Sequence, residues 1–286
     1  MHKVNLAIFV VYIISITCLF IFAGIGITPD RYIFVLLFAA LFLHKTKQFL
    51  IDWIPFVFIL LSYDFLRGLS PFLNSRVNYL PQINFDQMLF GTSSSGFFQK
   101  YLFQTGSLHW YDYLAAIFYF LHFALPLAFG FILWLQNRSK FRIFSMSLIV
   151  LSYGAFLTYV LFPAAPPWLS SEKGLIEPIT KILNLVLSSF PQAFQLPTVY
   201  EKFNPNTVAA IPSLHAAYPF LIFLVGFDIY KLKALFFLPY VLFGFFALMY
   251  LGEHFLLDIL IGMLYASLSF LSVKLLFRRY TKPESA

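Results

Sequence analysis

Eight apolar runs, at roughly 5–25, 30–43, 50–69, 112–135, 141–162, 209–227, 233–251 and 253–276, limit what this chain can fold into. Most reach the ~20 residues that a helix needs to cross a hydrocarbon core, where each backbone polar group must be satisfied within its own segment. Composition agrees: 60% of residues are hydrophobic and 11% charged, against about 25% charged in soluble domains. An all-α, polytopic membrane bundle of about eight spans is the expected fold. The second run is short. The first follows Lys3, but its apolar stretch exceeds the roughly 7–15 residues of a signal peptide, so it reads as a span.

The charges orient the bundle. With the N-terminus cytoplasmic, twelve of the nineteen Lys and Arg fall on the inner side, among them Lys45, Lys47, Arg138, Lys140, Arg142, Lys231 and Lys233. Three acids accompany them: Asp52, Asp228 and Glu284. Basic inner loops are what the positive-inside rule requires, and eight spans return the C-terminus to the cytoplasmic side. The net charge of +7 therefore reads as membrane-flanking charge and implies no nucleic-acid partner. Cys18 is alone, so no internal disulfide can form.

Two outer segments are long, roughly 70–111 and 163–208. The first holds the turn-rich "GTSSSG" at 91–96. The second holds "GLIEPITKILNLVLSSF" at 174–190, which suits a helix lying in the outer interface or one packed on the bundle.

Ionisable residues inside spans need a reason, because a charge at mid-bilayer costs about 2.5–3.5 kcal/mol. Asp64 and Arg67, in "SYDFLRGL", share a helix face and could neutralise each other. His254 and Asp258 stand four apart at the outer start of the last span, and His215 lies near the outer end of the sixth. At 1.5 Å per residue, His215 and Asp258 sit only about 5–10 Å below that end. All five therefore share one outer depth. His122 falls about 15 Å below Asp112, which predicts a core histidine beneath that level. His109, Trp110 and Asp112 read as an interface cluster, and His2 and His44 belong to the inner surface.

Two histidines, a carboxylate and an arginine suit a phosphate ester. One histidine can attack phosphorus if a carboxylate holds its other ring nitrogen, and Asp258 is spaced to do this for His254. His215 can protonate the departing alkoxide. Pro212 suits the first turn of the His215 helix, whose free N–H groups, with Ser213, can meet phosphate oxygens. Arg67 can grip others as a fork.

The segments "YDFLRG" (63–68), "FPAAPPW" (162–168), "NPNTVAAIPSLHAA" (204–217) and "YLGEHFLLD" (250–258) carry a specific resemblance. In this order they resemble the type 2 phosphatidic acid phosphatase superfamily, in its aureobasidin-sensitive inositol phosphorylceramide synthase branch. The similarity covers roughly 60–262. It implies a six-helix catalytic core and a phosphohistidine on His254, oriented by Asp258 with His215 as acid. It also implies no metal; the candidate phosphate-binding set is Arg67, Ser213, Asp64 and Tyr63, and no cofactor is expected. On this basis the chain divides into N-terminal spans (1–49), a catalytic membrane domain (50–277) and a cytoplasmic tail (278–286).

The chain departs from the general superfamily pattern at three points. Leu214 replaces the glycine of Ser-Gly-His, Ala247 and Leu248 replace a Ser-Arg pair, and no Lys-x6-Arg-Pro motif is present. Fewer cations suit a monoanionic phosphodiester better than a dianionic monoester. The leading expectation is inositol-phosphate head-group transfer from a phospholipid to a lipid alcohol, at the outer face of the membrane. Hydrolysis of a lipid phosphate or polyprenyl diphosphate, with water as acceptor, is the alternative. A zinc hydrolase using His215, His254 and Asp258, or a transporter, is more remote. Head group, acceptor and oligomeric state stay open at this stage.

Overall fold

Apolar runs become separate helices where capping residues end one and start the next, whereas prolines such as Pro55, Pro126 and Pro219 lie inside helices. The computed structural model describes Ser15 and residues 29–192, 196–204 and 206–280. In chain order its helices are α1 (Pro29–Phe42), α2 (Thr46–Leu73), α3 (Leu80–Phe90), α4 (Ser94–Leu102), α5 (Trp110–Gln136) and α6 (Arg138–Leu161). There follow α7 (Pro167–Glu172), α8 (Ile182–Ser188), α9 (Leu196–Phe203), α10 (Leu214–Tyr230), α11 (Leu238–Tyr250) and α12 (Leu256–Tyr280). Asn137 shows the capping logic. Its N–H donates to Leu133 O at 2.7 Å to close α5, and its Oδ1 accepts from Ser139 N at 3.0 Å to open α6.

By length and hydropathy, α2, α6, α12 and the stretch Leu214–Tyr250 can each cross a membrane, and α5 makes a fifth if its two halves count as one. Leu214–Tyr250 cannot be one rod. Its 37 residues would extend about 55 Å as a straight helix. Yet His215, at its start, lies 3.2 Å from His254, just beyond its end. The chain doubles back at Lys231 (φ 55) and through the 3₁₀ turn Lys231–Phe237. Six apolar segments result: α2, α5, α6, α10, α11 and α12.

The expected count of eight is not reached among the described residues. The run at 5–25 lies outside them, apart from Ser15. The run at 30–43 forms α1, whose 14 residues span about 21 Å, short of a hydrocarbon core of about 30 Å. The protein is nonetheless a multi-pass membrane protein. Phe58, Phe65 and Phe72, seven apart on α2, are 72%, 69% and 86% exposed, an apolar face suited to lipid.

α5 bends by 47° between Trp110–His122 and Ala124–Gln136. Pro126 explains it: it offers no N–H to the carbonyl four residues back, which belongs to His122, and its ring crowds that carbonyl.

The two ends of the bundle differ. At one, Asp52 of α2 accepts from Arg138 Nε and Nη2 of α6 at 2.7 and 2.8 Å and from Trp134 at 2.8 Å, while Asp228 of α10 pairs with Lys274 of α12. At the other, the long connections fold over the helix ends. Backbone bridges join Asn78 to Ala164 and Ala164 to Ala209, which holds three connections together. Ser93 of "GTSSSG" caps α4 by accepting from Gly96 N at 2.9 Å, and the Glu177 carboxylate accepts from Ser93 N at 3.1 Å. Of 174–190, only α8 is helical, and its Ile182, Leu183, Val186 and Leu187 are buried. Packing on the bundle therefore holds for this segment, in place of an interfacial helix.

Candidate active site

Four short polar stretches meet at the end of the bundle opposite Asp52 and Asp228. His254 lies in the tight connection between α11 and α12. Gly252 turns that connection at φ +82, a conformation natural only to glycine, and a Cβ there would stand 3.1 Å from Thr180 O. Glu253 N and His254 N both donate to Leu248 O, at 3.1 and 3.2 Å. Asp258, fully buried, accepts from Phe255 N at 2.9 Å. That cap starts α12 at Leu256, so His254 precedes the helix and does not share a helical face with Asp258 as the spacing predicts. The loop brings them together all the same: His254 Nδ1 lies 3.2 Å from Asp258 Oδ2.

His215 is the second residue of α10, and its Nδ1 lies 3.2 Å from His254 Nε2. Ser213 is the N-cap of α10, with Oγ accepting from Ala216 N at 3.3 Å. Pro212 thus stands before the cap, not in the first turn. Ser213 is buried and turned into its own helix, apart from the cavity that the histidines line. Its N–H donates to Asp258 O at 3.0 Å, so the "PSLH" and "GEHFLLD" stretches are joined through backbone. Gly262 allows this contact: a Cβ there would lie 2.4 Å from Ser213 O.

Arg67 completes the set. It sits near the end of α2, its Nη2 3.0 Å from Asp64 Oδ1. Arg67, Asp64, Tyr63, His215 and His254 line one cavity. Asn206, from "NPNTVAA", donates to Arg67 O at 3.1 Å and contacts Ser70 Oγ, which ties the segment preceding "PSLH" to α2. Tyr159 of α6 donates to Pro212 O at 2.8 Å.

His122 departs from its expected depth. Its ring lies 4.0 Å from that of His215, centroid to centroid, and it lines the same cavity. Its distance from Asp112 along α5 does not place it below the site, because His215 stands beside it. Tyr119, one turn earlier, stacks on His215 at 4.5 Å. His109 and Asp112 serve as a helix start, with His109 N donating to Asp112 Oδ2 at 2.7 Å.

Other residues at the site carry no strong signal in sequence. Asp86 of α3 accepts from Ser94 N at 2.7 Å and Leu256 N at 3.2 Å, anchoring the first turns of α4 and α12 together. Burial raises the Asp86 carboxyl above the usual aspartate range, although these N–H groups pull it back. Glu253 and Trp168 also line the cavity. Trp168 falls within the quoted "FPAAPPW" and Glu253 within the quoted "YLGEHFLLD", but neither is singled out there.

The arrangement has a definite chemical capacity. With Nδ1 turned to Asp258, His254 has Nε2 left to act as a nucleophile, and a carboxylate behind the ring could stabilise its positive charge. His215 lies within proton-transfer distance and Arg67 supplies a cation. Among the described residues, no group of three His, Cys, Asp or Glu side chains is arranged to hold a metal ion.

A model of the PAP2 superfamily matches residues 84–272 of this chain. The chain is also similar to a protein of Bacteroides thetaiotaomicron named phosphoinositol dihydroceramide synthase. The two are 28% identical over 219 residues, which cover 73% of this chain and 71% of the relative. No solved structure matches the chain.

Proposed function

The chain belongs to the PAP2 superfamily, and from that premise we propose that it transfers a phosphorylated head group from a phospholipid to a lipid alcohol through a phosphohistidine on His254. The observation that carries this reading is His254 itself: Nδ1 faces Asp258, and Nε2 faces a cavity shared with His215 and Arg67. In the first step Nε2 bonds to phosphorus as the bond from phosphorus to the diacylglycerol oxygen breaks. His215 gives that oxygen its proton, and diacylglycerol leaves. In the second step the acceptor hydroxyl returns a proton to His215 and its oxygen attacks phosphorus, which releases His254. Arg67 holds the non-bridging oxygens throughout.

Two observations favour transfer of a phosphoinositol group over hydrolysis. The relative's name specifies that head group and a dihydroceramide acceptor. Among the described residues, Arg67 is also the one Lys or Arg side chain that lines the cavity, which suits a monoanionic diester. The basic residues gather at the far end of the bundle, which supports a site at the outer face with both termini cytoplasmic.

The test is to give the purified protein head-group-labelled phosphatidylinositol with and without ceramide or dihydroceramide. Labelled lipid that forms only with the acceptor supports transfer. Water-soluble labelled phosphate ester in its place would make the protein a hydrolase.

A further inference from the structure

Glu253 is 5% exposed, lines the cavity beside His254, and among the described residues its Oε1 has no hydrogen-bond partner. A buried acceptor without a donor costs about 1–3 kcal/mol, and more if charged. The phosphate of a diester cannot supply the donor, since it carries negative charge and no O–H. A ligand rich in hydroxyls can.

Lys181 narrows the choice. Its ammonium lies 4.1 Å from the centroid of Trp168, which lines the cavity, and 5.6 Å from that of Tyr200. Aromatic faces beside a carboxylate would otherwise suit a quaternary ammonium. Here the Lys181 ammonium already lies over the Trp168 ring, and a second cation would be repelled. A neutral polyol meets both charges, with O–H donors for Glu253 and oxygen acceptors for Lys181.

We propose that Glu253 and Lys181 form a recognition site for the hydroxyls of an uncharged polyol head group, next to the nucleophile, and select it over cationic head groups. This deepens the head-group transfer reading and rests on it.

The experiment compares phosphatidylinositol with phosphatidylcholine of the same acyl chains, using the full chain in mixed micelles with dihydroceramide as acceptor. It reads kcat/KM for the wild type, Glu253→Gln and Lys181→Met, together with inhibition by free myo-inositol. Glu253→Gln should lower the preference for phosphatidylinositol by about 10- to 100-fold, chiefly through KM, as loss of hydrogen bonds to a charged group implies. It should also abolish competition by myo-inositol. Lys181→Met should lower the same preference by raising turnover of phosphatidylcholine. An equal loss for both lipids in Glu253→Gln, or an unchanged preference, would overturn the proposal. If Glu253→Gln does not fold, Lys181→Met decides: an unchanged preference there, with no competition by myo-inositol in the wild type, overturns it equally. A wild type that cleaves phosphatidic acid but leaves phosphatidylinositol untouched would defeat the transfer reading, and this proposal with it. Failure of the proposal alone leaves wild-type turnover of phosphatidylinositol intact.

Discussion

If His254 Nε2 carries the phosphoryl group, as proposed, each polar side chain at the site has its own signature on substitution. His254→Ala should yield no acid-labile, base-stable phosphoprotein with any substrate. His215→Ala should slow turnover by about 10²–10⁴-fold. The deficit should shrink for a nitrophenyl phosphate ester, whose anion leaves without a proton. Asp258→Asn should be intermediate, because the ring stays held while the charge behind it is gone. Trapping labelled phosphoprotein alongside the rates checks all three; label that persists in His254→Ala and vanishes in His215→Ala would exchange the two roles. Glu253 adds a pH dependence. Burial pushes its carboxyl above the ordinary glutamate range, with Lys181, His254 and Tyr200 drawing it part of the way back. The folded state then holds that proton more tightly than the unfolded state, so stability falls as pH rises from the ordinary glutamate value through the raised one. Thermal unfolding in detergent should show the wild type losing Tm relative to Glu253→Gln across that window. Parallel curves would mean that the carboxyl is not shifted.

Among the elements, the contact between α10 and α12 is the one on which the site turns. Gly262 of α12 lies so close to the start of α10 that an added methyl would meet Ser213 O at 2.4 Å. Backbone at a capped helix start has little room to yield. Gly262→Ala should therefore cost about 1–3 kcal/mol, as overpacking does, and move His215 away from His254. A lowered Tm together with lost activity checks this. Gly244, in the middle of α11, is the control: a Cβ there meets nothing within 4 Å. Gly244→Ala should leave Tm unchanged or raise it, since alanine favours the helix by about 1 kcal/mol. Equal losses in both variants would mean that Gly262 has no special place.

For the whole molecule, the basic end and the histidine end stand at opposite faces of a bundle whose apolar flanks face lipid. In a variant lacking Cys18, new cysteines at Lys140 or Lys231 should react with an impermeant thiol reagent only from the cytoplasmic side. Those at Lys173 or Lys202 should react only from the other side. Labelling of position 140 from outside would invert the topology. Activity should also survive a strong chelator and be inhibited by vanadate, which mimics five-coordinate phosphorus on His254. Loss in chelator, restored by zinc alone, would return the case to a metallohydrolase.

Much of this was legible in the sequence because it depends on local, nearly additive terms. Helix-length apolar runs mark membrane segments, and the order of "YDFLRG", "PSLH" and "GEHFLLD" places Arg67, His215, His254 and Asp258 at corresponding helix ends. Other features depend on how elements meet. The spacing of His254 and Asp258 suggests a shared helical face, whereas the cap at Phe255 N puts the histidine in a loop. His122 reads as too deep from its distance along α5 alone, because hydropathy does not encode which residues of other helices stand beside it. Lys181, Trp168 and Glu253 are separated by connections whose course is decided by bridges such as Ala164 with Ala209 and by Glu177 on the α4 cap. What the sequence by itself determined was the membrane bundle and the polar stretches that meet at one end of it. Only the tertiary structure decided which other groups surround them, because helix bends and loop closures arise from contacts between segments far apart in the chain.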